Sequence, residues 1–399
     1  MRRHILTLRL VTSIGLVTSL IVGVAPLASA QVIGGDQLAQ RGRQANLGPG
    51  AKAVPVVWAE TWILVDITNG TVLAAKNAHD QRAPASTLKA LTGLTLLPDL
   101  ALDQTYVARA KDVGTEGAHA GLNVGQQYTI DQLLYGMFLH SGNDAAVALA
   151  HAAGGVKKTV ARMNEVAASL QARDTVAKTP SGLDRPGQVS SAYDLALIAR
   201  AGLARPDFAG YVSTKKYDFP GKRSGTFPMY NQNRLLMSGY KGAIGVKTGF
   251  TTNAGRTFIG AATRKGVTLL FVGMGIHEAS ASAARKALTW GFKNRDNITP
   301  IGTMAEPLAA TPALAGAITS TRSIPSDTAV NKELASAGLA VPTSGDQMAP
   351  WWFWALILAA LAGLCAGWLA ARRRRLHRHP RSRHAAPESA RRYRPYQPR

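Results

Sequence analysis

Acidic residues are scarce in this chain: 23 Asp and Glu stand against 46 Lys and Arg, giving a formal net charge of +23 over 399 residues. Cysteine is nearly absent. Its one copy, Cys365, excludes a disulfide framework, a cysteine-rich zinc module and an iron–sulfur centre. The nine histidines form no H-E-x-x-H pair, and there is no G-x-S-x-G elbow, so neither a zincin nor a Ser–His–Asp hydrolase is indicated. What is abundant is apolar: hydrophobic residues make up 46% of the chain, enough for a sizeable core.

The basic excess is unevenly placed. Residues 372–399 hold 11 Arg and one Glu, residues 201–295 sum to +12, and residues 31–200 to only +1. So much of the charge sits in the last 28 residues that it does not point to a nucleic-acid partner. At the other end, Arg2, Arg3 and Arg9 precede an apolar run from about Leu10 to Val24 and then Ala28-Ser29-Ala30, the pattern of a secretory signal peptide over residues 1–30. Trp351 to Ala371 is an uncharged run of 21 residues. At about 1.5 Å per helical residue it covers the roughly 30 Å of a bilayer core. Trp351, Trp352 and Trp354 suit the membrane interface, and Arg372–Arg375 follow at once. The sequence thus predicts a single C-terminal transmembrane helix, a body outside the cell membrane, and a basic cytoplasmic tail touching anionic membrane lipids. Residues 31–54 read as an N-terminal extension. Residues 296–350, rich in Ala, Pro, Thr and Ser, read as a flexible tether between body and span.

The body, residues 55–295, reads as α+β. Trp62–Val65 leads through Asn69-Gly70 into Val72–Ala74, a hairpin signal. Ile244–Val246, Thr257–Ile259 and Val267–Val272 read as further antiparallel strands, and Ala281–Phe292 as a closing helix. Helical patterns fill the interval at Ser86–Leu97, Ile130–Leu139, Asp144–Ala153, Val156–Leu170 and Ala192–Leu203. The expected architecture is an antiparallel sheet formed from both ends of the domain and flanked by helices, with an inserted helical lobe.

Ser86-Thr87-Leu88-Lys89 opens one of these helices. Residues i and i+3 share a helix face, so the Lys89 amine can approach the Ser86 hydroxyl. A neutral lysine could take its proton and make a nucleophile, and a helix N-terminus supplies N–H groups for an oxyanion. Alone, S-x-x-K carries little information; it recurs at Ser213–Lys216 and Ser238–Lys241, where the flanking sequence suggests loops. Two further pieces make it specific. Ser141-Gly142-Asn143 lies between helical patterns, where a loop can present a hydroxyl and an amide. Lys247-Thr248-Gly249 lies at the end of an apolar strand, where Lys and Thr can grip a carboxylate and Gly lets a peptide lie close. The order S-x-x-K, S-x-N, K-T-G is the set found in penicillin-binding proteins and serine β-lactamases.

On these motifs the chain resembles the low-molecular-mass penicillin-binding proteins that act as D-alanyl-D-alanine carboxypeptidases. Pro84-Ala85, Asp144-Ala145-Ala146, Ser181-Gly182-Leu183-Asp184, Asn231–Leu236 and Phe250-Thr251 extend the likeness over roughly residues 55–295. The resemblance implies the penicillin-binding protein fold. It implies Ser86 as acylated nucleophile, Lys89 as general base and Ser141 in the proton path. Asn143 would hold the substrate amide, Lys247, Thr248 and Gly249 the peptide and its carboxylate, and the N–H groups of Ser86 and Phe250 the oxyanion. The expected reaction is cleavage of the terminal D-Ala-D-Ala bond of peptidoglycan stem peptides through an acyl-enzyme, with no cofactor or metal. β-Lactam antibiotics would acylate the same serine.

An endopeptidase or a transpeptidase would use the same catalytic set on different peptides. A class A β-lactamase would need a deacylating Glu in an E-x-x-L-N segment between the second and third motifs; Glu165 is the one Glu there, and its context, Glu165-Val166-Ala167-Ala168-Ser169, does not match. The positive half that carries Lys247 would attract a substrate ending in a carboxylate; residues 215, 216 and 223 read either as part of that field or as ordinary basic surface, and Arg256, on the strand after Gly249, either as an aid to carboxylate binding or as a surface arginine.

Overall fold

The structure, a computed structural model, describes residues 32–222 and 225–308. The expected signal peptide, the span at 351–371, the basic tail and the tether beyond residue 308 lie outside the described residues. Among the described residues no helix is long and apolar enough to cross a membrane.

Five long strands form the central sheet: β1 (Ala59–Asp66), β2 (Thr71–Lys76), β3 (Ala243–Thr251), β4 (Gly255–Arg264) and β5 (Val267–Ile276). Their order is β2-β1-β5-β4-β3, every pairing antiparallel, so the two ends of the body meet where β1 pairs β5 with Ile63 opposite Val272. Trp62, Ile63, Leu64 and Val65 are all buried, which explains their continuous apolar run: both faces of the strand are covered. The β1–β2 turn follows the sequence signal, with Gly70 at φ 74° and the Asn69 side chain accepting from the Thr71 amide.

One face of the sheet packs against α7 (Ser280–Asn294), which buries Ala283, Ala284, Ala287 and Leu288. The opposite face carries α5 (Ala192–Leu203) and the helical lobe: α1 (Lys89–Leu96), α2 (Ile130–Leu139), α3 (Asn143–Ala152) and α4 (Val156–Ser169). At the start of α2 a capping box forms, Thr129 accepting from the Gln132 amide and Gln132 from the Thr129 amide. These helices fall on the predicted segments with small shifts. Ser86 sits in a 3-10 turn, Ala85–Leu88, that runs into α1, rather than within the α-helix, and Asn143 is the first residue of α3 rather than a loop residue.

Three features depart from expectation. Helix α6 (Pro206–Ser213) and a hairpin of Lys216–Pro220 with Thr226–Tyr230 occupy the stretch read as loop. Lys247-Thr248-Gly249 lies in the middle of β3 rather than at a strand end. The body also does not stop at residue 295. Ile298–Thr299 pairs with Asn46–Leu47, Gly302–Thr303 pairs with β2, and Ile298, Ile301 and Met304 are buried. A tether starting at 296 is therefore corrected to one that starts no earlier than residue 309. The N-terminal extension is likewise joined to the body: Leu38 is in the core and Arg43–Gln44 adds to the edge of β2.

Candidate active site

The three motifs converge beside β3, the outermost strand of the sheet path. Its outward N–H and C=O groups have no ladder neighbour, so an extended peptide can add there. Lys89 is fully buried, and its Nζ reaches three oxygens: Ser86 Oγ at 3.0 Å, Asn143 Oδ1 at 2.6 Å and the Ser181 carbonyl at 2.6 Å. Ser86 itself is part-exposed at the mouth of this arrangement. Burial lowers the Lys89 pKa well below the ordinary lysine value, and the Lys247 cation lowers it further, against an opposing pull from Asp144.

The turn that carries Ser86 is held from three sides. Thr87 Oγ1 and Thr257 Oγ1 both donate to the Pro84 carbonyl, at 2.5 and 2.9 Å. Ala85 takes a left-handed φ of 48°. Gly182 runs so close behind that a Cβ there would lie 2.0 Å from the Ala85 oxygen. Across the cleft, a Cβ on Gly249 would lie 2.8 Å from the Ser86 nitrogen and 3.0 Å from the Thr87 nitrogen. Glycine in K-T-G thus lets the strand approach the Ser86 amide.

Lys247 faces the same side as Gly249, two residues along the strand. It is 2% exposed, its Nζ donates to the Thr248 carbonyl at 3.0 Å, and burial lowers its pKa to about 7. Thr248 and Gly249 are part-exposed and Phe250 is 65% exposed, paired across the ladder with exposed Arg256. Ser141 is buried, at φ 61°, a strained conformation for a residue with a side chain. Among the described residues its hydroxyl has no hydrogen-bond partner. Asn143 ties the lobe to the site, since its Nδ2 donates to the Glu116 carbonyl at 2.6 Å. Next to it, the buried Asp144 carboxylate accepts from the amides of Ala120, Gly121 and Leu122, fixing the overlying loop.

The sequence reading missed the Ser181 carbonyl, Thr257 and Asp184, whose Oδ1 accepts from Thr251 Oγ1 at 3.1 Å. The run Ser181-Gly182-Leu183-Asp184 was the available signal; it bridges Lys89 to the far end of β3. The other two S-x-x-K matches are structural. Ser213 Oγ donates to the Ala209 carbonyl of its own helix, and Ser238 Oγ accepts from Arg285. Glu165 is exposed on α4.

Residues 50–278 match the family model described as D-alanyl-D-alanine carboxypeptidase. The D-alanyl-D-alanine carboxypeptidase DacB2 of Mycobacterium tuberculosis is 43% identical over 250 residues, covering 61% of this chain and 85% of the relative. DacD of Escherichia coli is 37% identical over 258 residues, covering 60% of this chain and 64% of the relative. Among solved structures, a D-alanyl-D-alanine carboxypeptidase from Mycobacterium tuberculosis superposes with TM-score 0.61 at 41% identity, over 64% of this chain and 99% of that one. The Streptomyces K15 DD-transpeptidase superposes with TM-score 0.57 at 32% identity, over 61% and 100%. With the motifs assembled in one cleft and the match spanning most of the body, this chain belongs to the D-alanyl-D-alanine carboxypeptidase family of serine peptidases, Peptidase S11.

Proposed function

We propose that the family reaction, hydrolysis of the terminal D-Ala-D-Ala bond of peptidoglycan stem peptides, runs here on Ser86 as nucleophile and Lys89 as its general base. The observation that carries this reading is the set of partners around Lys89 Nζ. A neutral amine has two N–H groups and one lone pair. Asn143 Oδ1 and the Ser181 carbonyl, each at 2.6 Å, accept the two N–H groups. The lone pair is left for the Ser86 hydroxyl at 3.0 Å, which then donates its proton to Nζ.

The peptide adds along the open edge of β3. Attack of Ser86 Oγ on the penultimate D-Ala carbonyl puts negative charge beside the Ser86 and Phe250 amides, and the lysine proton passes to the departing amine by way of Ser141. Lys247 and Thr248 hold the terminal carboxylate of the leaving D-Ala. Water then attacks the acyl-enzyme with Lys89 again as base, releasing the shortened stem. β-Lactams enter by the same route and stop at the acyl stage. Ser86→Ala is expected to abolish both D-Ala release from a pentapeptide and labelling by a fluorescent penicillin. Labelling that persists in this variant removes Ser86 from its role.

Hydrolysis rather than transfer is the reading here. The similarity to a DD-transpeptidase structure motivates a direct comparison: incubation with pentapeptide and a free amine acceptor, scoring tetrapeptide against cross-linked product. Excess cross-linked product would favour transfer. The body is further proposed to stand on the outer side of the cell membrane, exported by residues 1–30 and anchored by 351–371, with the arginine tail on cytoplasmic lipid headgroups. The tryptophan cluster before the run and the arginines after it support that orientation. Protease digestion of intact spheroplasts should release the body and spare the tail.

A further inference from the structure

The mechanism uses Lys89 and Lys247, but most of the positive charge of residues 201–295 lies elsewhere. From residue 219 to residue 277 the chain has eight Lys and Arg and no Asp or Glu. Part of this charge gathers on the sheet face opposite the lobe, around Tyr240. The Arg264 guanidinium lies 4.7 Å from the Tyr240 ring centroid and 4.4 Å from that of Phe292. Arg285, on α7, lies 5.1 Å from the same Tyr240 ring. Arg264 Nε donates to the Lys241 carbonyl at 3.1 Å, Arg285 donates to Ser238 Oγ at 2.8 Å, and Tyr240 OH bonds Thr289 Oγ1 at 3.0 Å. Two guanidinium groups are thus fixed on one phenol ring; exposed Lys241 gives its carbonyl to Arg264, and exposed Lys293 follows Phe292 in the chain. Among the described residues none of these four cations has a carboxylate within ion-pair distance. Neighbouring like charges held in place without a counter-charge repel one another and favour an anion from outside the chain.

Position narrows the anion's source. Arg264 is five residues along β4 from Ile259, the partner of Lys247, or roughly 17 Å at a strand's rise. The patch faces away from the lobe, so a surface resting on it leaves the cleft open. Forty-two residues separate Leu308 from the span expected at Trp351. We propose that the cationic face formed by Lys241, Arg264, Arg285 and Lys293 docks on the anionic phospholipid headgroups of the membrane that anchors the chain, turning the active-site cleft toward the wall. The inference rests on the membrane-anchored reading above and adds an orientation to it. Near an anionic bilayer each cation close to the surface gains about fivefold in binding.

The test uses the full-length protein in two kinds of vesicle, phosphatidylcholine alone or with about one third phosphatidylglycerol. Retention in the neutral vesicles checks the span by itself, and D-Ala release checks the activity by itself. A water-soluble amine reagent then reports lysine exposure. Modification of Lys241 and Lys293 is expected to fall about fivefold or more in the anionic vesicles, with Lys111 and Lys157 on the lobe unchanged, and to recover at about 0.5 M salt. Arg264→Gln/Arg285→Gln should lose the protection at Lys293 while keeping penicillin labelling. If removing Arg264 costs the fold, Lys241→Gln/Arg285→Gln, both exposed, gives the same reading at Lys293. Equal modification in the two vesicles overturns the proposal. So does protection that appears only when an anionic wall polymer is added, which would assign the face to that polymer instead.

Discussion

The cleft and the opposite face of the sheet hold the same kind of residue in opposite circumstances. Lys89 and Lys247 are buried, bonded to fixed oxygens and pushed to low pKa by desolvation. Lys241 and Lys293, on the other side of the same sheet, are in water. Burial costs a charged amine its hydration, and in the cleft that cost lowers both lysines, Lys89 well below the ordinary value and Lys247 to about 7. It is the surroundings of a lysine, not its presence in a motif, that lower its pKa. Ser213–Lys216 and Ser238–Lys241 carry the S-x-x-K pattern without those surroundings.

The comparison can be broken most sharply by keeping charge and removing the ability to lose it. Lys89→Arg holds a permanent cation next to Ser86 and is expected to slow penicillin acylation about a thousandfold or more. Near-normal acylation would mean that no neutral base is needed. Gly249→Ala leaves every charge in place but sets a methyl 2.8 Å from the Ser86 nitrogen. The strand must shift, and a displacement of this kind is expected to cost about a hundredfold in kcat/KM. An unchanged value would show that the approach of β3 to the serine turn is not used.

A smaller effect separates the two buried lysines by pH. Deprotonating Lys89 activates the nucleophile, so acylation rises with pH through its depressed pKa. Deprotonating Lys247 removes the cation facing the substrate carboxylate, so kcat/KM for a free peptide falls above about 7, by about tenfold per unit at the limit. A substrate methylated at its terminal carboxylate should lack this alkaline fall. If both substrates fall alike, Lys247 does not act through the carboxylate. The smallest expected effect is on the other face. Lys241→Gln/Arg285→Gln should release D-Ala from a soluble pentapeptide at the parent rate, and a tenfold loss would show that the two faces are not independent.

Much of this was legible in the sequence because it rests on local rules. Helical spacing puts Ser86 and Lys89 together, Asn69-Gly70 makes the hairpin, and the unbroken apolar run of β1 signals a strand covered on both faces. What stayed hidden depends on groups that every residue carries or on contacts made at long range. The Ser181 oxygen that accepts from Lys89 is a backbone carbonyl, and nothing in a side-chain pattern marks it. Thr257 braces the serine turn only because its hydroxyl reaches the Pro84 carbonyl, 173 positions away. The two-residue strands at Ile298–Thr299 and Gly302–Thr303 are too short for any periodicity, so a packed segment read as tether. Helix α6 did leave a signal, Pro206 at its first turn, which a reading centred on apolar periodicity passed over.

Catalysis by Ser86 on this reading depends on the Lys89 amine, which burial and the Lys247 cation hold well below the ordinary lysine value. Isotopic labelling of lysine, with the Lys89 resonance assigned by its loss in Lys89→Arg, allows the Nζ to be titrated directly by NMR. A change from ammonium to free amine well below the ordinary lysine value is the expected result. A resonance that stays that of an ammonium up to pH 10 would contradict it.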